Sequence, residues 1–466
     1  MKVLLINPPI RECAKPSCFP SGLGYIAAVL LKEGHKVEVL DINAFRYSKE
    51  EVVCRIKEIN CDLVGIGGLV TVYKYVKWLI SAIKRVNPKV KIIVGGTLAS
   101  SIPDLLLEKT KTDVAVINEG EITIKELIEA IAKNKSLTNI DGIYFREGDG
   151  IYKTKPREVI KNINMIPFPA WDLFPIKQYV NTPDHLTGPI RNLNMITSRG
   201  CPYQCAFCYR NFGRKIRLRS PENLVQEMIL LKNKYGVRFF SFVDELFTVS
   251  KTRIYEICDL IMRENLKVKW GCLSRVNLAD KAVLRVMKRA GCNFIGYGIE
   301  SWSQTILDNI KKQVTVDQAK EAIRITRKAG IFTNTTHMIG NIGETQETIQ
   351  ETVNFCKELN ITLQFFYATP FPKTALYTQA QKMGLILDEE KYIENLGECS
   401  KFSINLTKFK DEELIELKKK AEAETISAQG GVIRRALNYY KNYGGKAFIQ
   451  KVVTKLLGRD VYKAME

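Results

Sequence analysis

Along residues 1 to about 135, short apolar, β-branched runs alternate with stretches whose apolar positions recur at helical spacing. The runs are VLLIN (Val3 to Asn7), VEVLDI (Val37 to Ile42), LVGIGG (Leu63 to Gly68), VKIIVGG (Val90 to Gly96) and DVAVIN (Asp113 to Asn118). Five strands separated by helices predict an α/β unit with a parallel sheet, because parallel neighbours require crossovers. A second series follows from Leu193 to about Leu387: LNMIT, RFFSFVD, VKWGCLS, FIGYGIE, FTNTTHMIG and LQFFYAT. Six alternations exceed one small doubly wound sheet and predict a partial (β/α)6 barrel. Between the series, MIPFPAWDLFP carries prolines that exclude regular structure and mark a linker. From about Asp411 the pattern is helical again. The expected organisation is an α/β unit over 1–135, a linker over 136–185, a barrel over 186–390 and a helical region over 391–466.

Parallel sheets bind ligands at the carboxyl ends of their strands. Here those ends carry Pro8-Pro9, Gly67-Gly68 and Gly95-Gly96, where a bulky ligand can approach the backbone. The first barrel strand runs directly into SRGCPYQCAFCYR, which puts Cys201, Cys205 and Cys208 at the top of the barrel. A zinc site takes paired ligands, yet no second cysteine pair follows, and only His35, His185 and His337 are available. Three thiolates from one loop instead suit a four-iron cluster, leaving the fourth iron open for chemistry.

Composition narrows the setting. Of 12 cysteines, nine are scattered singly and read as buried apolar side chains of a reducing compartment. The N-terminus lacks a signal-peptide pattern and no apolar run is long enough to span a bilayer, so a cytoplasmic, at most membrane-peripheral, protein is expected. A net charge of +20 favours an anionic partner. The stretch from Val432 to Arg459 has basic but no acidic residues, and reads as a packed helix with a solvated lysine face or as a surface for an anionic substrate or lipid headgroups. Nucleic acid is a less favoured partner.

The cysteine loop resembles that of the radical S-adenosylmethionine (SAM) superfamily. VDELFT (Val243 to Thr248), GIES (Gly298 to Ser301), GNIGET (Gly340 to Thr345) and YATPFPKT (Tyr367 to Thr374) resemble its later motifs, in order. The resemblance implies a [4Fe-4S] cluster on Cys201, Cys205 and Cys208, with SAM on the open iron and Phe207 against its adenine. Asp244 and Glu245 would then hold the ammonium, Glu300 the ribose hydroxyls and Arg275 the carboxylate. The front unit resembles the Rossmann-like cobalamin-binding module of one branch of this superfamily, through INPP, SGLGYIAAVL, VGIGGLVT, VGGTLAS and NEGE. That implies cobalamin contacts at Pro8, Gly22, Gly67, Gly68, Leu69, Val70, Thr71, Gly95, Gly96, Thr97, Glu119 and Gly120. Two features depart from the pattern. There is no Asp-x-His-x-x-Gly motif to ligate cobalt, and Asn118 stands where the branch often has Gly.

By this resemblance the chain is a cobalamin-dependent enzyme that cleaves SAM to a 5′-deoxyadenosyl radical and transfers a methyl group from methylcobalamin to an unactivated centre. It would need an electron donor such as flavodoxin or ferredoxin, and a protein side chain, lipid or small natural product as acceptor. The alternatives are a cyclase using the same cofactors, a methylthiotransferase with a second cluster on Cys13, Cys18, Cys54 or Cys61, and a corrinoid or redox sensor.

Overall fold

The computed structural model describes residues 1–10, 16, 18–182 and 190–428. Cys13, His185 and the basic stretch after Val432 lie outside the described residues. All five front runs form strands: β1 (Lys2–Asn7), β2 (Lys36–Asp41), β3 (Leu63–Gly67), β4 (Lys91–Gly95) and β5 (Val114–Val116). They lie parallel in the order β2-β1-β3-β4-β5. The chain winds outward in both directions from β1 and β3, so a crevice opens at the carboxyl ends of those two strands.

The segment expected as a linker carries secondary structure ahead of its proline-rich run. Two strands, β6 (Ile143–Glu147) and β7 (Gly150–Lys153), form a hairpin that extends the front sheet antiparallel to β5. The alternation that buries Ile143 and Phe145 is only a few residues long, and the prolines further on overshadow it. The proline-rich stretch itself is irregular apart from a 3-10 turn at Trp171–Leu173, and it is packed. Trp171 and Phe174 set their rings 4.3 and 4.9 Å from that of Phe19.

The second series forms β8 (Asn192–Met195), a small ladder of β9 (Ser198–Arg199) and β10 (Arg217–Leu218), then β11 (Phe239–Phe242), β12 (Lys269–Ser274), β13 (Cys292–Glu300), β14 (Phe332–Ile339) and β15 (Phe365–Tyr367). Apart from that ladder, the strands make one parallel six-stranded sheet in the order β15-β14-β13-β12-β11-β8. The half-barrel that the pattern predicted is therefore present. Its crossover helices start at side-chain caps, including Ser220, Ser250, Asp280, Thr315 and Thr345, each satisfying a backbone N–H of the first turn.

One continuous core joins the two sheets, running from Leu5 and Leu23 through Trp171 and Tyr179 to Leu193 and Phe240. A second core covers the other face of the front sheet and takes in Ile393 and Leu396 from beyond the barrel. Helix Asp411–Ala428 closes the barrel edge. There Glu422 accepts from the Phe365 N–H at 2.8 Å and Thr425 from the Leu363 N–H at 3.1 Å, covering an otherwise open strand. Among the scattered cysteines, Cys258, Cys272, Cys292 and Cys356 are buried as expected, whereas Cys18 and Cys54 are exposed and Cys61 and Cys399 half-buried. No described helix is long and apolar enough to cross a membrane.

Candidate functional site

The β9–β10 ladder clasps the neck of the cysteine loop, pairing Arg199 with Arg217. Gly200 sits there at φ +93°, and a Cβ on it would lie 2.2 Å from the Lys215 carbonyl oxygen, so no other residue fits. The loop is pinned at several points. The Cys201 N–H donates to Gly213 at 3.0 Å, the Ala206 N–H to Ile310 at 2.8 Å, and the Asn211 N–H to Glu245 Oε1 at 3.1 Å. All three cysteines are free thiols. Arg275 lies buried beside them: Nη1 is 3.3 Å from Cys205 Sγ, Nη2 donates to the Lys312 carbonyl, and the guanidinium stacks 3.6 Å from the Tyr203 ring centre. Among the described residues no three His, Cys, Asp or Glu side chains converge tightly enough on a single ion. Three soft donors spread over one anchored loop, with a cation alongside, fit a thiolate-bound iron-sulfur cluster better than a lone hard cation.

A second constellation stands at the end of β13. The ladder slips between Gly298 and Glu300, and Glu300 adopts a left-handed φ of 73°. That is strain of the kind a binding site retains. Its carboxylate accepts from Lys312 Nζ at 2.8 Å, both groups being buried, and Nζ lies 5.5 Å from the Phe207 ring centre. A Cβ on Gly298 would come within 2.5 Å of Glu300 Oε1, which explains the glycine two residues before the acid. Phe207, Arg275 and Glu300 are thus gathered around the cysteine loop, and Lys312 joins them. Nothing in the pattern marks Lys312, which follows a helix as one of a lysine pair.

The two acids of VDELFT separate. Glu245 faces the cysteine loop, its carboxyl pushed up by burial and drawn down by backbone N–H groups of Gly200, Phe212 and Asn211. Asp244, expected to hold an ammonium, instead accepts from the Thr197 N–H at 2.5 Å and from the Thr197 hydroxyl. It is 2% exposed and pins β11 to the end of β8. The reason is alternation: successive residues at a strand end point to opposite faces.

The front crevice is a cavity of about 350 Å³ at the carboxyl ends of β1, β3, β4 and β5. Of the expected contacts, Pro8, Gly22, Gly67, Gly68, Leu69, Gly95, Gly96, Thr97, Glu119 and Gly120 line it. Val70 and Thr71 do not. They enter a 3-10 turn that buries Val70 in the far core and brings Val72 to the wall instead. A Cβ on Gly22 or Gly95 would meet no atom within 4 Å, so the wall is hollow there. Gly96 has another cause: φ is +78° and a Cβ would lie 2.6 Å from the Gly68 carbonyl oxygen. Asn118 takes φ +61°, the left-handed conformation that glycine adopts freely and asparagine tolerates best among the others. Asparagine at that position is thus compatible with a left-handed backbone.

The far wall belongs to the barrel unit. Ile196, Arg199, Asn211 and Phe212 line the same cavity, so the loop that carries the cysteines closes the front crevice. Buried ion pairs lock this junction: Arg199 binds Glu119 at 2.6 Å and Glu121 at 2.5 Å, and Arg217 binds Glu119 at 2.6 Å. Neither arginine was singled out from the sequence, although both flank the loop and complement the acids of NEGE.

Residues 8–128 match the B12 binding domain family and residues 195–356 the radical SAM superfamily. A protein of Pyrococcus horikoshii named as an uncharacterized methyltransferase is 33% identical over 395 residues, covering 83% of this chain and 84% of that one. An anaerobic magnesium-protoporphyrin IX monomethyl ester cyclase of Cereibacter sphaeroides is 30% identical, covering 80% of this chain and 62% of that one. The fold is shared with a radical SAM methyltransferase from Kitasatospora setae, solved with tryptophan and a SAM analogue: TM-score 0.69, 20% identity, 82% of this chain and 76% of that one. The chain belongs to the radical SAM superfamily, in the branch whose members carry an N-terminal B12-binding domain.

Proposed function

We propose that this radical SAM enzyme transfers a methyl group to an unactivated centre of its substrate, using a [4Fe-4S] cluster, SAM and cobalamin. One observation carries the reading: the hollow front cavity and the three-cysteine loop share a wall through Asn211 and Phe212. Two cofactors seated there would lie on either side of that shared wall. When bound, these groups supply the reductive cleavage of a sulfonium and the delivery of a methyl group; the chain supplies place and seclusion. Cys201, Cys205 and Cys208 hold the cluster, and Glu245 fixes their loop. Arg275 and Lys312 offer cations to a carboxylate, Glu300 accepts from ribose hydroxyls, and Phe207 gives an apolar face for adenine. Gly22 and Gly95 make room for a corrin. The apolar wall, with Leu69, Val72 and Ile124, excludes water that would quench a radical. A reductant such as flavodoxin or ferredoxin supplies the electron.

The test is anaerobic reconstitution, reduction, and incubation with methyl-deuterated SAM and host extract. Mass spectrometry should find a product heavier than its precursor by one labelled methyl group in place of hydrogen, and none with the Cys201→Ala, Cys205→Ala, Cys208→Ala triple variant. The cyclase relative supports a second reading, ring formation with the same cofactors. A product that lacks the label but has lost hydrogen would favour it.

A further inference from the structure

Glu121 was not among the expected contacts, yet it lines the front cavity. It is 8% exposed, and only one of its oxygens is engaged: Oε1 takes Arg199 Nη2, while Oε2 is buried with no partner. A carboxylate oxygen buried without a donor is costly, and a folded chain keeps one where something else donates. The neighbouring wall is mostly apolar, which leaves a water or a guest in the cavity to supply the donor.

Arg199 does more than hold Glu121. Its other nitrogen binds Glu119 Oε1, and Glu119 Oε2 takes both Arg217 Nη1 at 2.6 Å and the Ile160 N–H at 2.9 Å. Arg217 in turn donates to the Phe212 carbonyl at 2.9 Å. Arg199 and Arg217 are the two ends of the clasp on the cysteine loop, and Phe212 lies in that loop. A chain of buried charged bonds therefore runs from the cavity wall to the neck of the loop.

Resting on the cofactor reading above, we propose that Glu121 accepts a hydrogen bond from a primary amide on the corrin rim, and that the Glu119–Arg199–Arg217 chain makes the position of the cysteine loop depend on that contact. Cobalamin carries such amides around its ring, and their N–H groups suit an orphaned carboxylate oxygen. Glu121 is a binding residue, and Glu119 a positioning residue acting through the two arginines. Because coupling is reciprocal, cobalamin changes the cluster's surroundings and the cluster changes cobalamin affinity.

The experiment uses the full chain, with the cluster reconstituted anaerobically, titrated with hydroxocobalamin and followed by absorbance. Glu121→Leu is expected to weaken binding about tenfold or more, as loss of a charge-assisted bond does, with iron content unchanged. Glu121→Gln, which keeps the volume, should weaken it several-fold and decides the matter if the leucine variant does not fold. In parallel, the electron paramagnetic resonance g-values of the reduced cluster should shift on adding cobalamin to the wild type and stay fixed in Glu119→Gln. Wild-type affinity in Glu121→Gln, or an undiminished shift in Glu119→Gln, overturns this inference while leaving the cofactor reading intact. A wild-type protein that takes up no cobalamin overturns both.

Discussion

At the scale of the residue, the two adjacent glycines of the VGG run do different work. Gly95 is in extended backbone with open space where a side chain would go, whereas Gly96 is held left-handed against a carbonyl. Gly95→Leu should therefore fill the cavity and lower cobalamin uptake with little change in Tm. Gly96→Ala should lower Tm first, because the backbone itself is strained. Equal Tm losses in the two variants would sink this distinction. The glycine pairs were legible in the sequence because a missing side chain is a signal in itself. The misplacement of Val70 and Thr71 was not legible, since the tight turn after β3 decides which apolar residue faces the ligand. A buried acid gives another expectation. Burial pushes the Glu344 carboxyl up to about 7, against bonds from the Gly340 and Asn341 N–H groups. The folded chain then keeps a proton that the unfolded chain has released, so stability falls as pH rises from the ordinary glutamate range through 7, by up to about 3 kcal/mol. His337, held neutral by burial to about pH 3, slopes the opposite way below its ordinary value, so the comparison must be with a variant. Glu344→Gln should gain Tm over the wild type as pH is raised from 5 to 8. A gain that shrinks over that range would refute the assignment.

At the scale of the element, β13 shows how a strand end becomes a site. The register slip and left-handed Glu300 turn a carboxylate onto Lys312, and Gly298 leaves room for the pair. The acid was legible from GIES, but its cation was not, because Lys312 reaches the site through a turn after helix Gln304–Asn309 rather than through any periodic pattern. Lys312→Met and Gly298→Ala should both lower SAM affinity, by about tenfold for loss of a charge-assisted bond, and leave the iron content unchanged. Equilibrium dialysis of labelled SAM on the reconstituted protein measures this. Full affinity in Lys312→Met would make the ion pair structural only. The hairpin β6–β7 was the opposite case: each strand is short, and its alternation has meaning only beside the β5 edge it extends.

At the scale of the whole molecule, six barrel strands and five front strands were legible because each is a buried run between helical segments. What the runs do not encode is that the cysteine loop forms a wall of the front cavity. That arrangement decides where histidines can act. His35 lies at the opposite end of the front sheet, 3.4 Å from the N-terminal amine, before β2 begins. His337 is buried on β14, accepting from Trp302 Nε1 at 3.0 Å. Neither lines the cavity, and His185 lies outside the described residues. With no Asp-x-His-x-x-Gly motif either, the expected lower face of bound cobalamin is apolar or water, with its own benzimidazole tail displaced. An axial nitrogen splits each cobalt line of cob(II)alamin into three, so the paramagnetic resonance spectrum of the loaded protein reads this directly. The expected spectrum shows no such splitting in the wild type. Splitting that disappears in His35→Ala, His185→Ala or His337→Ala would establish a histidine ligand. Splitting that survives all three would leave the tail in place, and either result would overturn the open lower face.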